Sequence, residues 1–594
     1  MTTPTLNIYL SPGANNSFEI EFKDIFPRPY VEEKKSVKVV IFGSPVLNKK
    51  ISKEEVALNI IKHDGLKKDF IKSLNGEFLI IYSDTSNEKF QIANDRFTSI
   101  PLYYYFDKGT IKASIKYIEI AKQLKKDKLW QIDNKFFFEF LWFRRLHGQN
   151  TYDMKSKFLK SARILTLYSK ELKIDSYWEP SFLKSNDLSL DYYANELVKS
   201  IGNSISEKTS DIKDPSEIGL FLSGGMDTRT LLGAFSSSNN IKPACFTIGY
   251  SKKGEYRVAK KVAKIVGSEC KFIKLNGDYY SQYLKDKADL AGGMYNQFTN
   301  IFMGQSEKIS PYSRFLFHGH GFDYMFQGMY LPAKYVTLFG KNTHFKKISK
   351  LNNVDDLAKY YVHNIGYRFN QFSISDFVIP TYRDEMLNSL YGSVKEILRE
   401  GEKFCNDNFD LWEYLMIHTI SRHYSQMDIA GIGTNGEQRK IANDNNILDL
   451  YLRMPLEYRK DAKVMRAALK IINPSLSKME SSNTGYCIDA SPLKLTSHFI
   501  FYKILRVITG NQKFRHPGFK ERTWPNSGQQ IKDLSILHNL ANEAINSEIL
   551  HKQMPYLDWK KIKLYSPEWI EQKSEGGGNF LMHLMSIHSL LKGI

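Results

Sequence analysis

The chain has 594 residues, of which 42% are hydrophobic and 25% are charged, and these proportions are ordinary for a globular protein with several domains. Its net charge of +19 fits anionic ligands such as ATP or nucleic acid, but a solvated basic surface accounts for it more simply. Because the four cysteines form no Cys-x-x-Cys pair and no stretch is long enough to span a membrane, we predict a cytoplasmic protein without a zinc site, a disulfide framework or a membrane partner.

Short apolar runs rich in β-branched and aromatic residues dominate residues 5–180 and predict β-strands. An Asp-Lys-Gly turn at 107–109 predicts a hairpin between two of these strands. The predicted strands are 6–10, 37–42, 78–82, 89–94, 102–106, 110–114, 164–168 and 172–177, and residues 136–146 form a predicted helix.

The segment 217–235 is an apolar run that breaks at Ser223-Gly224-Gly225 and resumes as a helical pattern at Thr228. This pattern predicts a buried strand, a tight loop and a helix whose first backbone amides favour an anion. The adjacent glycines let a phosphate approach the backbone, Ser223 and Thr228 offer hydroxyl donors, and Asp227 offers a carboxylate suited to Mg²⁺. An ordinary strand-to-helix turn would show the same pattern.

Strands and helices alternate after this loop, with strands predicted at 241–250 and 271–275 and a helix at 255–266. Alternation of this kind predicts a doubly wound parallel sheet whose ligand lies beyond the carboxyl ends of the strands. A further apolar strand at 314–317 ends in a second glycine-rich loop, His318-Gly-His-Gly-Phe-Asp323.

Several of these segments together resemble the asparagine synthetase and β-lactam synthetase family. Ser-Gly-Gly-x-Asp-Thr at 223–228 is similar to the pyrophosphate loop of ATP pyrophosphatases, and Gly-Glu-Phe at 76–78 with Pro-Leu-Tyr-Tyr at 101–104 is similar to the family's glutaminase domain. The resemblance implies an α+β N-terminal-nucleophile-like αββα sandwich, then an α/β doubly wound parallel sheet, and a helical C-terminal extension. We place these domains at 1–182, 183–495 and 496–594. Thr2 stands where the family has its N-terminal cysteine nucleophile, so we predict an inactive glutaminase-like domain.

The resemblance also implies the residues of an ATP site, with ATP and Mg²⁺ as cofactors. Asp227 and Asp323 are the implied metal ligands, and Lys463 and Lys478 are possible pyrophosphate contacts, because Asn483 stands where the family has a lysine. The implied ATP-binding residues are Leu222, Ser223, Gly224, Gly225, Asp227, Thr228, Ile248, His318 and Gly319.

Two residues are candidates for catalysis. His320 stands where asparagine synthetases have Glu and β-lactam synthetases have Tyr, and an imidazole could deprotonate an attacking amine. Glu437 matches the Glu of the family's Gly-x-Glu-x-Arg run, and we hypothesise that it pairs with His320 and raises its basicity. The alternative for His320 is a loop histidine that only makes a hydrogen bond, and the alternative for Glu437 is a structural ion pair with Arg439.

These motifs predict an ATP-dependent ligase that adenylates a small-molecule or peptide carboxylate and transfers it to ammonia or an amine. Glutamine-hydrolysing asparagine synthesis is one alternative. A catalytically inactive scaffold and a tRNA-modifying enzyme with the same ATP loop are two others, although nucleic acid is an unlikely partner. An oligomer is possible.

Overall fold

The computed structural model describes residues 4–10, 18–23, 28–183, 187–338, 341–367, 369, 372–482, 485–510 and 526–594. The chain has a mixed α/β fold with antiparallel sheets at its N-terminus, one parallel sheet in its middle and helices at its C-terminus, which confirms the predicted order of these three parts. Within the described ranges no helix is both long and apolar enough to cross a bilayer.

Two antiparallel sheets form the N-terminal part, with strand orders β10-β8-β9-β1-β2 and β12-β11-β7-β6-β4-β3, and β5 pairs with β4. The strands are β1 Thr5–Leu10, β2 Phe18–Lys23, β3 Tyr30–Lys34, β4 Val37–Leu47, β5 Lys50–Ile51, β6 Asn75–Asp84, β7 Lys89–Asn94, β8 Tyr103–Asp107, β9 Thr110–Ser114, β10 Lys157–Phe158, β11 Arg163–Tyr168 and β12 Glu171–Ser176. The helices here are α1 Lys53–Lys62, α2 Lys68–Ser73, α3 Tyr117–Lys126 and α4 Lys135–Phe143.

Alternating side chains of β4 serve two separate cores. Val40 and Phe42 pack between the two sheets, whereas Val39 and Ile41 pack against the apolar side of α1. Because side chains of a strand alternate between its faces, a strand covered on both sides is apolar throughout, which explains the unbroken run at 39–42.

A five-stranded parallel sheet with the order β15-β14-β13-β16-β19 forms the middle of the chain. The remaining strands are β13 Ile218–Phe221, β14 Ala244–Gly249, β15 Cys270–Lys274, β16 Phe315–His318, the hairpin β17 Ala333–Leu338 and β18 Lys341–Ile348, and β19 Glu437–Lys440. The strand order reverses between β13 and β16, so the chain leaves these neighbours in opposite directions and a crevice opens beyond their carboxyl ends.

Helices cover this sheet and build the rest of the chain. They are α5 Leu190–Lys208, α6 Met226–Asn239, α7 Glu255–Ile265, α8 Leu284–Ala291, α9 Ser306–Ile309, α10 Phe322–Phe326, α11 Val354–Tyr360, α12 Arg383–Gly401, α13 Asn408–Ile420, α14 Gln426–Gly433, α15 Asn445–Arg453, α16 Leu456–Arg459, α17 Lys463–Ile472, α18 Pro474–Ser477, α19 Pro492–Thr509, α20 Ser527–Asp533, α21 Ser535–Ile545, α22 Glu548–Gln553, α23 Trp559–Glu571 and α24 Glu575–Gly593. Short 3-10 turns lie at Pro215–Glu217, Ile374–Phe377, Pro380–Tyr382 and Lys460–Ala462, and a π-helical turn at Tyr361–Gly366.

The C-terminal helices are part of the main core. Phe580, Leu584 and Ile587 of α24 are buried in the same apolar cluster as residues of α4, and the His583 ring lies 5.3 Å from the Phe140 ring. The helical extension therefore packs on the N-terminal part of the chain as well as on the middle part.

Candidate active site

The loop between β13 and α6 has the predicted strand, turn and helix. The backbone N–H of Ser223 donates to Thr228 Oγ1 at 3.1 Å, and the N–H of Gly225 donates to Ser223 Oγ at 3.1 Å, so the two hydroxyls fix the turn from inside. Gly225 is the N-cap of α6, and because it has no Cβ an anion can approach the helix N-terminus closely.

A second loop, which follows β16, presses directly on the first. A Cβ at Gly319 would lie 2.8 Å from Asp227 Cβ and 3.0 Å from Thr228 N, so the two loops meet at a distance that only glycine permits. This contact brings His318, His320 and Asp323 to the first loop, because parallel neighbours β13 and β16 end at the same edge of the sheet.

Asp227 and Asp323 form a carboxylate pair at this contact. Burial, and then the charge of Asp323, hold the pKa of Asp227 well above its ordinary value, while burial raises the pKa of Asp323 to about 6. Gln327 Nε2 donates a hydrogen bond to Asp227 Oδ1, which partly counteracts the rise in the pKa of Asp227. Two carboxylates that repel each other in a buried site are stabilised by a cation between them.

These residues fit Mg²⁺, because carboxylate oxygens are its preferred protein ligands and it usually completes its coordination with water and nucleotide phosphates. In the described part of the chain, no three His, Cys, Asp or Glu side chains cluster as a metal site. Asp227 and Asp323 would therefore hold the ion together with phosphate oxygens rather than in a cage made by the protein alone.

A cavity of about 300 Å³ opens in front of both loops. Its polar lining includes Ser223, Asp227, Thr228 and Asp323, and its apolar lining comes from one cluster of side chains that forms a slot suited to a flat ring such as adenine. The slot is lined by Phe221, Phe246, Ile248, Ile301, Phe302 and Ile432. The structure thus brings most of the predicted ATP residues, Leu222, Ser223, Asp227, Thr228, Ile248, His318 and Gly319, to one cavity, with Gly224 and Gly225 in the adjoining turn.

Two histidines form one wall of the cavity. Their Nδ1 atoms lie 3.0 Å apart, and Gln438 Nε2 lies 2.7 Å from His318 Nε2. Burial, and then the Lys440 charge, lower the pKa of His320 to about 4. Burial, and then the neighbouring His320, hold the pKa of His318 well below its ordinary value. Both rings are therefore neutral at physiological pH, and His320 can accept a proton.

The structure does not bring Glu437 to His320. Glu437 begins β19 opposite Phe315, whereas Lys440 lies opposite His318, and three strand residues separate these positions by about 10 Å. The Glu437 carboxylate accepts from Arg439 Nε at 3.1 Å and from Ser44 Oγ at 3.4 Å. The predicted His320–Glu437 contact is therefore absent from this structure, and the alternative, a structural Glu437–Arg439 pair, is what these described residues form.

Neither predicted pyrophosphate lysine lines the cavity. Lys463 is exposed and lies 3.8 Å from Glu457, and Lys478 is exposed at the end of α18. Asn483, at the position of the family lysine, and Thr2 lie outside the described residues.

Several residues at the site belong to none of the sequence motifs. Glu255, at the start of α7, lines the cavity and accepts a hydrogen bond from the backbone of Gly224, which shows that this amide is directed at an anionic oxygen. Gln327 contacts Asp227, and Lys346 and Arg466 line a second cavity that Gly225 and Met226 also border. The sequence signal for Lys346 is weak because β17 and β18 carry no strong apolar period.

Two family comparisons cover separate parts of the chain. Residues 211–424 match the asparagine synthase family, and residues 46–118 match a glutamine amidotransferase domain. The first match contains the two glycine loops and the carboxylate pair, and the second contains β6 to β9.

Individual relatives match more distantly. "Amidase chyE" of Penicillium rubens is 21% identical over 259 residues, which are 39% of this chain and 36% of that protein. "Probable asparagine synthetase (glutamine-hydrolyzing)" of Acanthamoeba polyphaga mimivirus is 23% identical over 222 residues, 35% of this chain and 36% of that protein. The chain thus spans about a third of the length of these relatives.

Two solved structures share local likeness with the chain. They are described as an allosteric regulatory enzyme of purine biosynthesis and as glutamine phosphoribosylpyrophosphate amidotransferase from B. subtilis. Both are 7% identical, with TM-scores of 0.20 and 0.19, over 46% and 45% of this chain and 74% of each of those chains. At these scores the likeness fixes no detail of the fold.

Proposed function

Because this chain is an asparagine synthetase-family protein, we propose that it is an ATP-dependent amide-forming ligase that adenylates a carboxylate and transfers the acyl group to ammonia or an amine. The observation that carries the proposal is the single cavity that joins an apolar slot, the Ser223–Thr228 loop and the Asp227–Asp323 pair. A nucleotide needs all three features, for its base, its phosphates and the cation that accompanies them.

In the first step a substrate carboxylate attacks the α-phosphate of ATP, and the bond to pyrophosphate breaks. Backbone amides of the loop and the hydroxyls of Ser223 and Thr228 stabilise the charge that develops on the leaving group. Mg²⁺, when bound by Asp227 and Asp323, supplies further neutralisation of phosphate charge.

In the second step a nitrogen nucleophile displaces AMP from the acyl-adenylate. His320 lines the cavity beside Asp323 and is neutral, so it can take the proton that the attacking nitrogen loses. Since Glu437 is held by Arg439, His320 would act without a carboxylate partner there.

Asp227→Asn tests the first step. The variant should lose carboxylate-dependent ATP–pyrophosphate exchange and the protection that ATP with Mg²⁺ gives against heat, because the cation loses one ligand. Without ligand its melting temperature should equal or exceed that of the wild type, since the repulsion between the two carboxylates is gone. Asp69→Asn, on the exposed surface of α2, is the control. A wild-type protein that shows neither exchange across a carboxylate panel nor protection by ATP would instead be an inactive scaffold.

His320→Gln separates the two steps. We expect ATP–pyrophosphate exchange to persist while amide formation falls roughly 10²-fold or more, the usual contribution of a general base. Equal loss of both activities would assign His320 to nucleotide binding instead.

Hydrolysis of glutamine is a second candidate activity, because residues 46–118 match a glutamine amidotransferase domain. Incubation with glutamine alone would distinguish it: glutamate should form if the N-terminal part is active, and no glutamate should form if the nitrogen comes from ammonia or an amine. Binding to bulk tRNA with a steep dependence on salt would favour the tRNA-modifying alternative.

A further inference from the structure

Helix α19 presents a continuous apolar stripe to solvent. Its exposed apolar side chains are spaced by three, four or seven residues, so they share one side of the helix. They have exposed fractions from 38% to 78% and are Leu493, Ile500, Phe501, Ile504, Val507 and Ile508. We call this set the α19 stripe. The helix is held to the rest of the chain from its other side, where Leu495 and Thr496 are buried.

The neighbouring hairpin extends this apolar surface. Strand β18 packs against α19, and the hairpin side chains Tyr335, Val336 and Phe345 are 40% to 50% exposed. Together with the α19 stripe they are nine of the 26 large apolar side chains that are exposed in the described part of the chain. Apolar side chains scattered singly are normal on a protein surface, whereas a concentration of this kind marks an interaction site.

The charged residues of these elements are all positive. Strands β17 and β18 and helix α19 together contain seven lysine and arginine residues and no aspartate or glutamate. Lys334, Lys347 and Lys494 are among them and are exposed. A second copy of this chain would bring like charges together here, so the charge disfavours self-association through this surface. An anionic partner with an apolar layer complements it.

We propose that the α19 stripe and the β17–β18 hairpin form a peripheral docking surface for an anionic lipid bilayer. The helix would lie in the plane of the interface, with the stripe among the upper acyl chains and the lysine ammonium groups at the level of the lipid phosphates. An apolar side flanked by lysine and arginine is the composition of helices that bind such surfaces. The sequence predicts no membrane-spanning segment and no membrane partner, but a helix that lies on a bilayer does not need to span it.

Co-sedimentation of the full-length protein with vesicles tests this assignment. The protein should bind vesicles made of equal parts phosphatidylcholine and phosphatidylglycerol. It should bind vesicles of phosphatidylcholine alone at least about tenfold more weakly, because each basic residue near an anionic surface contributes to binding. Binding to the mixed vesicles should also weaken as the salt concentration rises.

Substitutions on the exposed surface locate the contact. Val507→Glu should lower the partition coefficient onto mixed vesicles about tenfold or more, because it replaces an apolar contact with a negative charge. Lys494→Gln should lower it about fivefold. Leu564→Glu, at a position of α23 that is 73% exposed, makes the same change of charge away from the stripe and should bind as the wild type does. All three variants should keep the wild-type melting temperature, since the replaced side chains are exposed.

Three results would overturn the proposed docking surface. These are no binding of the wild type to mixed vesicles, equal weakening by Val507→Glu and Leu564→Glu, and a solution dimer, detected by light scattering, that Val507→Glu dissociates. The last result would assign the stripe to a second copy of the chain. Binding of soluble polyglutamate without binding to vesicles would likewise overturn it and assign the surface to an acidic protein. ATP–pyrophosphate exchange by Val507→Glu should equal that of the wild type, so the proposed function and this surface stand or fall in separate assays.

Discussion

At Gly319 the two loops of the candidate site touch, and one added methyl group is enough to separate them. Gly319→Ala would place a Cβ 2.8 Å from Asp227 Cβ and 3.0 Å from Thr228 N, where backbone must shift. We expect ATP affinity, measured by thermal shift, to fall at least about tenfold, since the shift displaces a metal ligand and an anion-binding amide. Gly392→Ala is the control, because nothing lies within 4 Å of its Cβ position in α12. Unchanged ATP affinity in Gly319→Ala would contradict the assigned loop contact.

Lys287 is a buried cation whose effect on stability depends on pH. Its Nζ donates to the Tyr279 carbonyl at 3.0 Å, and burial lowers its pKa to about 7. Between pH 7 and about 10 the unfolded chain binds a proton that the folded chain does not, so the wild type becomes more stable as pH rises. Below pH 7 the folded protein bears the full cost of burying the charge.

Lys287→Met removes this dependence. The variant should be more stable than the wild type at pH 6.5, by roughly 2–4 kcal/mol, and the advantage should shrink towards pH 9.5. Melting temperatures across this range measure the effect, and the exposed Lys285→Met in the same helix should follow the wild-type profile. Parallel pH profiles for Lys287→Met and the wild type would show that Lys287 does not titrate in this window.

Among the elements, α13 and α16 are joined by a buried ion pair. Arg459 Nη1 and Nη2 lie 2.9 Å and 3.0 Å from the two carboxylate oxygens of Glu413, and both side chains are at most 4% exposed. Tyr451 also donates its hydroxyl to Glu413. The Glu413 carboxylate thus neutralises the buried Arg459 charge and also accepts the hydrogen bond of the buried Tyr451 hydroxyl.

Glu413→Gln should therefore destabilise the protein by about 3–5 kcal/mol, because Arg459 keeps its charge without a partner. Urea denaturation measures the loss. The matched change Glu543→Gln breaks an exposed pair with Lys592 and should cost less than about 1 kcal/mol. Similar losses in the two variants would mean that the buried pair is open to solvent.

The position of the short strand β19 explains why the predicted His320–Glu437 contact does not form. Its sequence, Glu-Gln-Arg-Lys, is wholly polar and gives no strand signal, yet it pairs in parallel with β16. Pairing at a sheet edge is a tertiary contact, so a local pattern cannot reveal it. The register then puts Lys440, rather than Glu437, level with His318.

At the scale of the whole molecule, Asn75 joins the N-terminal sheets to the parallel-sheet part. Its Nδ2 donates to Asp444 Oδ2 at 2.8 Å and to Glu207 at 3.1 Å, and its Oδ1 accepts from the Asn445 N–H at 2.8 Å. Asn75 and Asp444 are both buried, so these bonds cannot be replaced by water without a rearrangement.

Asn75→Ala should lower the free energy of unfolding by about 1–3 kcal/mol, because it leaves several buried polar groups without partners. The melting temperature should fall accordingly. ATP binding should change little, since Asn75 does not line the nucleotide cavity. The exposed Asn195→Ala, which loses only a bond to its own helix at Asp191, should have no comparable effect. A melting temperature equal to that of the wild type would indicate that this junction contributes nothing to stability.

Local sequence patterns are sufficient to predict several parts of this protein. Apolar runs predicted β7 and β9 at their observed bounds. The two glycine loops predicted that Asp227 and Asp323 lie in one site. Both predictions succeed because strand ends and glycine spacing are properties of consecutive residues. Local patterns did not predict the hairpin β17–β18 or the strand β19, since their side chains carry no strong apolar period.

Tertiary structure alone decided the partners of individual charges. It paired Glu437 with Arg439 and Ser44, left Lys463 on the surface, and brought Lys346 and Arg466 to a cavity that borders the glycine loop at Gly225. Burial and neighbouring charge, which set the pKa of His320, are likewise properties of residues far apart in the chain. A motif specifies which groups are present, whereas packing specifies which of them meet.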